Sequence, residues 1–167
     1  SDESRGLGDV YKRQVINLDV RDFDDTPTNA EWVACDVSSM EQVRHAIDNI
    51  AVKYGRIDAL VCNAGMHVSA TIEDTDEALL DKIMSLNIKG AYGAIKASLP
   101  TMKAQKSGAI VVMGSDQCFV GKQNSFAYGL TKSALASMAK TTALDYAPFN
   151  IRANAVCPGT IETPLFH

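Results

Sequence analysis

The chain has 167 residues, of which 46% are hydrophobic and 22% are charged. These values are typical of a single globular domain with a sizeable hydrophobic core. The net charge of −4 argues against a nucleic-acid-binding surface. No apolar run approaches the roughly 18 residues that a membrane helix requires, so we expect no membrane partner.

The cysteines and histidines lack the spacing of a metal site or of a paired redox motif. Cys35, Cys62, Cys118 and Cys157 are scattered, and three of them end or follow apolar runs. In such places cysteine behaves as a small hydrophobic residue. We therefore predict no metal ion and a reduced, cytoplasmic setting.

Residues 1–14 differ from the rest of the chain. They are polar and aperiodic, and residues 6–14 (GLGDVYKRQ) look like translated sequencing-adaptor DNA. We interpret residues 1–14 as a non-native or disordered leader and exclude them from the fold. Gly6 and Gly8 resemble part of a phosphate-binding turn, but six residues between Gly8 and the first strand are too few for a crossover.

From Val15 onward, predicted strands and helices alternate. Five short runs have the apolar or β-branched character of strands: residues 15–20, 31–35, 57–62, 109–113 and 151–156. Three helices are predicted between them, over about 38–54, 74–103 and 124–147. This alternation predicts an α/β fold with a parallel sheet.

The helix boundaries carry recognisable end signals. Ser38, with Glu41 three residues later, reads as a capping box, and Gly55 reads as a helix stop. The second helix is expected to begin at Asp74 or Thr75. It is predicted to continue without interruption through the apolar residues that follow.

The fourth strand and the third helix carry side chains that can transfer protons. Ser115 follows the strand, and Tyr128 and Lys132 lie four residues apart in the helix. Residues at this spacing share one helix face, and a nearby ammonium favours phenolate. We therefore expect Lys132 to lower the pKa of Tyr128 and make it a general acid or base. The alternative is a surface tyrosine stacked on a lysine side chain.

Five motifs occur in order along the chain: Asn63-Ala64-Gly65, SLNIKG from Ser85, Ser115, YGLTK from Tyr128, and NAVCPGTIET from Asn154. Together they resemble the short-chain dehydrogenase/reductase family. The resemblance runs from Val15 to the end. It implies a Rossmann-like doubly wound parallel sheet with helices on both faces, with residues 15–167 as a partial NAD(P)-binding domain. The glycine-rich strand-turn before Val15 and the substrate segment after Thr163 would be missing, so we expect this chain alone to bind cofactor poorly.

The same resemblance implies an NAD(H)-dependent oxidoreductase that interconverts a small-molecule alcohol and a ketone or aldehyde. Tyr128 would exchange a proton with the substrate oxygen, and Lys132 would support it and hold the nicotinamide ribose. Ser115 would hold the substrate oxygen. Asn87 would extend a proton relay, unless it is a buried asparagine bonded to backbone. The alternatives are an NADPH-dependent 3-oxoacyl-carrier-protein reductase and a non-catalytic Rossmann-like scaffold.

Cofactor contacts are implied by the resemblance as well. Asp19, at a strand end, would bind the adenosine ribose hydroxyls and repel a 2′-phosphate, which favours NAD over NADP. Asp36 and Val37 would lie at the adenine. The remaining implied contacts are Asn63, Ala64, Gly65, Tyr128, Lys132, Pro158, Gly159, Ile161 and Thr163. The family also implies a homodimer or homotetramer formed through the two long helices.

Overall fold

A computed structural model describes residues 14–22 and 29–160 of the chain. These residues belong to two compact units, one ending at Asp36 and one beginning at Val37. The prediction for residues 1–13 lies outside the described residues, as do the predicted cofactor contacts Ile161 and Thr163.

The first unit contains two parallel strands. Strand β1 spans Val15–Asp19 and strand β2 spans Ala30–Ala34, with Val15 opposite Ala30 and Asp19 opposite Ala34. The Asp19 carbonyl accepts hydrogen bonds from the Trp32 indole at 3.0 Å and the Cys35 amide at 3.1 Å. Both strands lie within one residue of their predicted bounds.

The second unit contains a three-stranded parallel sheet in the order β3-β4-β5. The strands are β3 (Ala59–Cys62), β4 (Gly108–Met113) and β5 (Ile151–Val156). Parallel neighbours need long crossovers, and each one here is helical. The predicted parallel α/β architecture is confirmed.

Helix α1 spans Met40–Tyr54. Its N-cap is Ser39, whose hydroxyl accepts from the Gln42 amide at 3.4 Å, so the predicted Ser38 cap is wrong by one residue. At the other end Gly55 has φ +70° and its amide donates to the Ala51 carbonyl at 2.8 Å. A glycine suits this left-handed position, as the sequence predicted.

The connection from β3 to β4 is one long helical path with an interruption. Helix α2 spans Glu77–Met84, a π-helical turn spans Ser85–Lys89, and helix α3 spans Gly90–Gln105. The Gly90 amide donates to the Ser85 carbonyl five residues back, which defines the wider turn.

Helix α2 starts later than predicted, because its N-cap is Asp76, which accepts from the Leu79 amide at 2.7 Å. Thr75 lies before the helix, where its hydroxyl donates to the Thr71 carbonyl at 2.6 Å. Thr71 also hydrogen-bonds Asp74.

Helix α4 spans Phe126–Tyr146 and packs with α3 against the three-stranded sheet. The buried core residues come from both helices and from β4 and β5: Ala91, Ile95, Leu99, Met102, Ile110, Val112, Leu135, Ala139, Ile151 and Ala153. This apolar layer fixes α4 relative to the carboxyl ends of β4 and β5. None of the helices in the described ranges is both long and apolar enough to cross a membrane.

Candidate active site

The candidate site lies where β4 and β5 end. The Gly114 amide donates to the Val156 carbonyl at 2.7 Å, and the Asp116 amide donates to the Pro158 carbonyl at 2.9 Å. A Cβ on Gly114 would lie 2.8 Å from the Cys157 sulfur. The two loops therefore pack closely, and only glycine fits between them.

Ser115 is held in this corner with 7% of its surface exposed. Its hydroxyl oxygen accepts from the Gln117 amide at 3.2 Å. The same hydroxyl lies 2.8 Å from a carboxylate oxygen of Asp116, and it must be the donor because a carboxylate only accepts. The sequence placed Ser115 correctly at the strand end but gave Asp116 no specific role.

Lys132 and Tyr128 lie on one face of α4, as their spacing predicted. Lys132 is 6% exposed, and its ammonium donates to the Met113 carbonyl at 2.7 Å, at the end of β4. The ammonium lies over the Tyr128 ring, 5.5 Å from the ring centre. The cation therefore contacts the face of the phenol, and its hydrogen bond goes to the strand.

The expectation that Tyr128 has a lowered pKa is wrong for this structure. Burial raises the pKa of Tyr128, and the negative charges of Asp116 and Cys118 raise it further. A hydrogen bond from Ser115 acts in the opposite direction. For Lys132, burial lowers the pKa, whereas charges on Cys118 and Cys157 raise it. Burial dominates both residues because it disfavours each charged form.

Asn87 lies in the π-helical turn and is 1% exposed. Its amide oxygen accepts from the Met66 amide at 2.8 Å, and its amide nitrogen donates to the Met66 carbonyl at 3.0 Å. The nitrogen also donates to the Thr131 hydroxyl at 3.0 Å, which in turn donates to the Tyr128 carbonyl at 2.8 Å. Asn87 therefore joins the loop after β3 to the helix that carries Tyr128, which matches the structural alternative weighed for it.

Gly65 is the member of the Asn63-Ala64-Gly65 motif that lies closest to these groups. A Cβ built on Gly65 would lie 3.2 Å from the Asn87 amide oxygen and 3.7 Å from the Lys132 ammonium. Asn63, Ala64 and Gly65 are all exposed. The absence of a side chain therefore lets the Gly65 backbone lie close to Asn87 and to the lysine.

Sequence reasoning missed His67, whose ring packs edge-on against Tyr128 with centres 4.8 Å apart. The only sequence signal was its position two residues after Gly65. A single exposed histidine carries little information without the fold.

The other predicted cofactor contacts end or follow strands. Asp19 is exposed at the end of β1, and one carboxylate oxygen accepts from the Arg21 amide at 3.0 Å. Asp36 is exposed at the end of the first unit, and Val37 begins the second. Pro158 and Gly159 follow β5. Within residues 14–22 and 29–160, no group of three or more His, Cys, Asp or Glu residues could hold a metal ion.

Comparisons with known proteins place these features in a family. A family model described as short chain dehydrogenase matches residues 16–167. The 3-oxoacyl-acyl-carrier-protein reductase FabG of Thermotoga maritima is 33% identical over 158 residues, which cover 95% of this chain and 64% of that protein.

Solved structures agree with the fold. The ligand-free aldohexose dehydrogenase of Thermoplasma acidophilum is 38% identical with a TM-score of 0.86, covering 91% of this chain and 58% of that one. ElxO with NADP bound (36% identical, TM-score 0.79) covers 81% of this chain and 55% of that one. Xylitol dehydrogenase with NAD+ bound is 34% identical with a TM-score of 0.78, and the match covers 83% of this chain and 54% of that one. The predicted incomplete Rossmann-like fold is confirmed, and the chain spans about 54–64% of the length of these proteins.

Proposed function

The chain belongs to the short-chain dehydrogenase/reductase family, and from this premise we propose that the whole protein of which it is part interconverts an alcohol and a ketone or aldehyde by hydride transfer to or from a nicotinamide cofactor, while this chain alone binds that cofactor poorly. The observation that supports this most is the convergence of Ser115, Tyr128 and Lys132 at the carboxyl end of β4. Ligand sites of open parallel sheets lie at that edge. The catalytic set proposed is Ser115, Tyr128, Lys132 and Asn87.

Tyr128 and Ser115 would share the substrate oxygen. In the reduction direction, Tyr128 donates its proton to the oxygen as the carbonyl becomes an alcohol. Burial raises the pKa of Tyr128, so the phenol is protonated near neutral pH and ready to donate. Ser115 would turn its proton from Asp116 toward the same oxygen. In the oxidation direction Tyr128 must be ionised, so that rate should increase with pH.

Lys132 would bind the nicotinamide ribose. Its hydrogen bond to the Met113 carbonyl occupies one of three ammonium protons, and the exposed Gly65 beside it carries no side chain that would cover the ammonium. The residues present therefore fit the ribose end of the cofactor. When bound, the nicotinamide supplies or accepts the hydride, and the chain supplies orientation and proton transfer.

Asn87 is proposed to extend the proton relay from Lys132, and its contacts also support a positioning role. Its three hydrogen bonds to Met66 and Thr131 fix the loop after β3 against α4. Through that loop Asn87 would hold Gly65 beside the lysine.

We propose NAD as the cofactor rather than NADP. Asp19 lies exposed at the end of β1 with one carboxylate oxygen committed to the Arg21 amide. A carboxylate there would accept from ribose hydroxyls and repel a 2′-phosphate. Asp36, Val37, Asn63, Ala64, Pro158, Gly159, Ile161 and Thr163 complete the proposed cofactor contacts. One neighbour carries NADP and another NAD+, so the relatives do not favour either cofactor.

A second enzymatic candidate is an NADPH-dependent 3-oxoacyl-carrier-protein reductase, which the similarity to the Thermotoga maritima enzyme favours. A non-catalytic scaffold has no comparable support. We further propose a cytoplasmic homo-oligomer acting on small molecules, with residues 15–167 as part of the nucleotide-binding domain.

The decisive experiment measures turnover of the whole protein with NADH and NADPH against cyclic ketones, aldoses and a 3-oxoacyl thioester. We expect carbonyl reduction with NADH to exceed that with NADPH. Tyr128→Phe should lower kcat by about 10²- to 10⁴-fold, because it removes the general acid. Tyr92→Phe is the matched control: it removes another hydroxyl, one that hydrogen-bonds Lys96 on α3. Thioester reduction only with NADPH would favour the second candidate, and equal activity of wild type and Tyr128→Phe would reject both.

A further inference from the structure

Two cysteines that the proposed chemistry does not use lie beside the candidate active site. Cys118 ends the short 3₁₀ turn that follows Ser115, and Cys157 is the first residue after β5. Their sulfur atoms lie 3.7 Å apart, and both thiols are free and half-buried. Cys35 is fully buried, and burial raises the pKa of Cys62 to about 12.

The approach of the two sulfurs is fixed by the backbone. Both sulfurs lie next to Gly114. A Cβ on that residue would be 2.8 Å from the Cys157 sulfur and 3.1 Å from the Cys118 sulfur. Hydrogen bonds from Gly114 to Val156 and from Asp116 to Pro158 hold the two loops together on either side of the pair. The packing of the two loops therefore keeps the two thiols adjacent, and their proximity does not depend on one side-chain rotamer alone.

The surroundings of the pair hold the sulfurs in place more than they activate them. Burial and the contact with Cys118 raise the pKa of Cys157, and a backbone hydrogen bond at Ser115 and the Lys132 ammonium offset only part of that rise. The Cys118 thiol donates to the Lys132 carbonyl at 3.1 Å, so its sulfur is oriented on the helix that carries the lysine. Thiolate is the reactive form of cysteine, so the adjacency of the two sulfurs, and not an acidic thiol, has to favour the disulfide.

We propose that Cys118 and Cys157 form a dithiol oxidation site that hydrogen peroxide converts into an intramolecular disulfide. One thiolate attacks a peroxide oxygen, the O–O bond breaks, and a sulfenic acid and hydroxide form. The second thiolate then attacks that sulfur, the S–O bond breaks and the S–S bond forms with loss of a second hydroxide. The two thiol protons convert the hydroxides to water, so two thiols are oxidised and one peroxide is reduced to two waters.

Oxidation should disturb the catalytic corner. A disulfide brings the sulfurs to about 2.0 Å, so they must move about 1.7 Å closer than the 3.7 Å observed. Cys118 would lose its bond to the Lys132 carbonyl, and the turn that holds Ser115 would shift with it. We expect a lower rate in the oxidised protein and recovery with dithiothreitol.

The test does not depend on enzymatic activity. The purified chain is treated with a small excess of hydrogen peroxide, alkylated, and digested with trypsin. Cleavage after lysine and arginine places the four cysteines in four different peptides, with Cys118 in 107–122 and Cys157 in 153–167. We expect a linked pair of these two peptides and a mass loss of about 2 Da, two hydrogen atoms.

Cys118→Ser and Cys157→Ser should each abolish the linked peptide and leave a sulfenic acid that dimedone traps. Cys35→Ser should leave the linked peptide unchanged. In denaturant the same disulfide should form at least about tenfold more slowly, because the fold supplies the effective concentration of the thiols. Since either serine variant can be used, a misfolded one does not end the test. A different pairing, intermolecular disulfides, or equal rates in the folded and denatured chain would overturn the proposal.

Discussion

The Ser115 hydroxyl donates its single proton to the Asp116 carboxylate across 2.8 Å. The Tyr128 oxygen would accept that same proton when the phenol is ionised, which lowers the pKa of Tyr128. We therefore expect Asp116 and the ionised Tyr128 to compete for Ser115. Asp116 holds the serine proton, and its charge disfavours phenolate directly.

Removing the Asp116 charge should lower the pKa of Tyr128. In Asp116→Asn the negative charge is lost, and the remaining amide oxygen is a weaker acceptor than a carboxylate, so the Ser115 proton turns more readily to the phenolate. The rate of alcohol oxidation should rise with pH as Tyr128 ionises, and we expect this rise to occur at lower pH in the variant. The measurement is the pH dependence of kcat/KM, with Asp145→Asn as a control because Asp145 is exposed on α4. A shift to higher pH would contradict the assignment.

Ser115→Ala should shift the rise in the rate of alcohol oxidation to higher pH. This substitution removes the hydrogen bond that lowers the pKa of Tyr128 and leaves burial and the Asp116 charge in place. We therefore expect a higher pKa, together with a lower kcat because the substrate oxygen loses one donor. Ultraviolet titration of phenolate absorbance, compared with Tyr128→Phe, reports the pKa without turnover. If both variants shift in one direction, the competition between Asp116 and Tyr128 is not present.

Asn87→Ala should destabilise the fold as well as the site. It leaves the Met66 amide and carbonyl and the Thr131 hydroxyl without their partner in a buried position. Each such loss costs about 1–3 kcal/mol. Urea unfolding measures the change in the free energy of unfolding. The control Asn49→Ala removes an exposed contact to His45 and should cost less than about 0.5 kcal/mol. Equal effects of the two substitutions would be inconsistent with a joining role for Asn87.

Gly65→Ala should weaken cofactor binding more than it weakens the fold. Its methyl group would lie 3.2 Å from the Asn87 oxygen and 3.7 Å from the Lys132 ammonium, in the space proposed for the ribose. A steric obstruction there should raise the KM for the cofactor by about tenfold or more, roughly 1.4 kcal/mol. Gly121→Ala is the matched control, since nothing lies within 4 Å of a Cβ at that glycine. An unchanged KM for the cofactor in Gly65→Ala would contradict the proposal that the ribose binds beside Gly65.

Much of the fold could be predicted because local patterns and the fold agree. The apolar strand runs gave all five strands to within two residues, and i,i+4 spacing put Tyr128 and Lys132 on one helix face. The approach of Ser115, Tyr128 and Lys132 was predictable for the same reason, since parallel strands bring their carboxyl ends to one edge. The π-helical turn was not predictable, because the residue types of Ser85–Lys89 do not distinguish a π-helical turn from an α-helical one, and Asn87 was the single unusual residue there.

Interactions between distant residues could not be read from spacing. The direction of the Lys132 ammonium depends on the Met113 carbonyl, which lies 19 residues away in the chain. Cys118 and Cys157 are 39 residues apart and meet only because β4 and β5 pair in register. The raised pKa of Tyr128 likewise depends on burial, which its neighbours in sequence do not determine.

The turn at Ser85–Lys89 makes the position of a deletion critical along the helical path. A π-helical turn contains one more residue than an α-helical turn of the same rise. Deleting one residue inside the turn would restore ordinary helical geometry and leave α2 and α3 close to their present orientation, so Ala91, Ile95 and Leu99 would stay in the core. The residues inside the turn would be repositioned, which would move Asn87 away from Met66. Deleting one residue within α3 instead would rotate the residues on its two sides by about 100° relative to each other. We therefore expect a deletion inside the turn to disturb the Asn87 contacts and a deletion inside α3 to disturb the core.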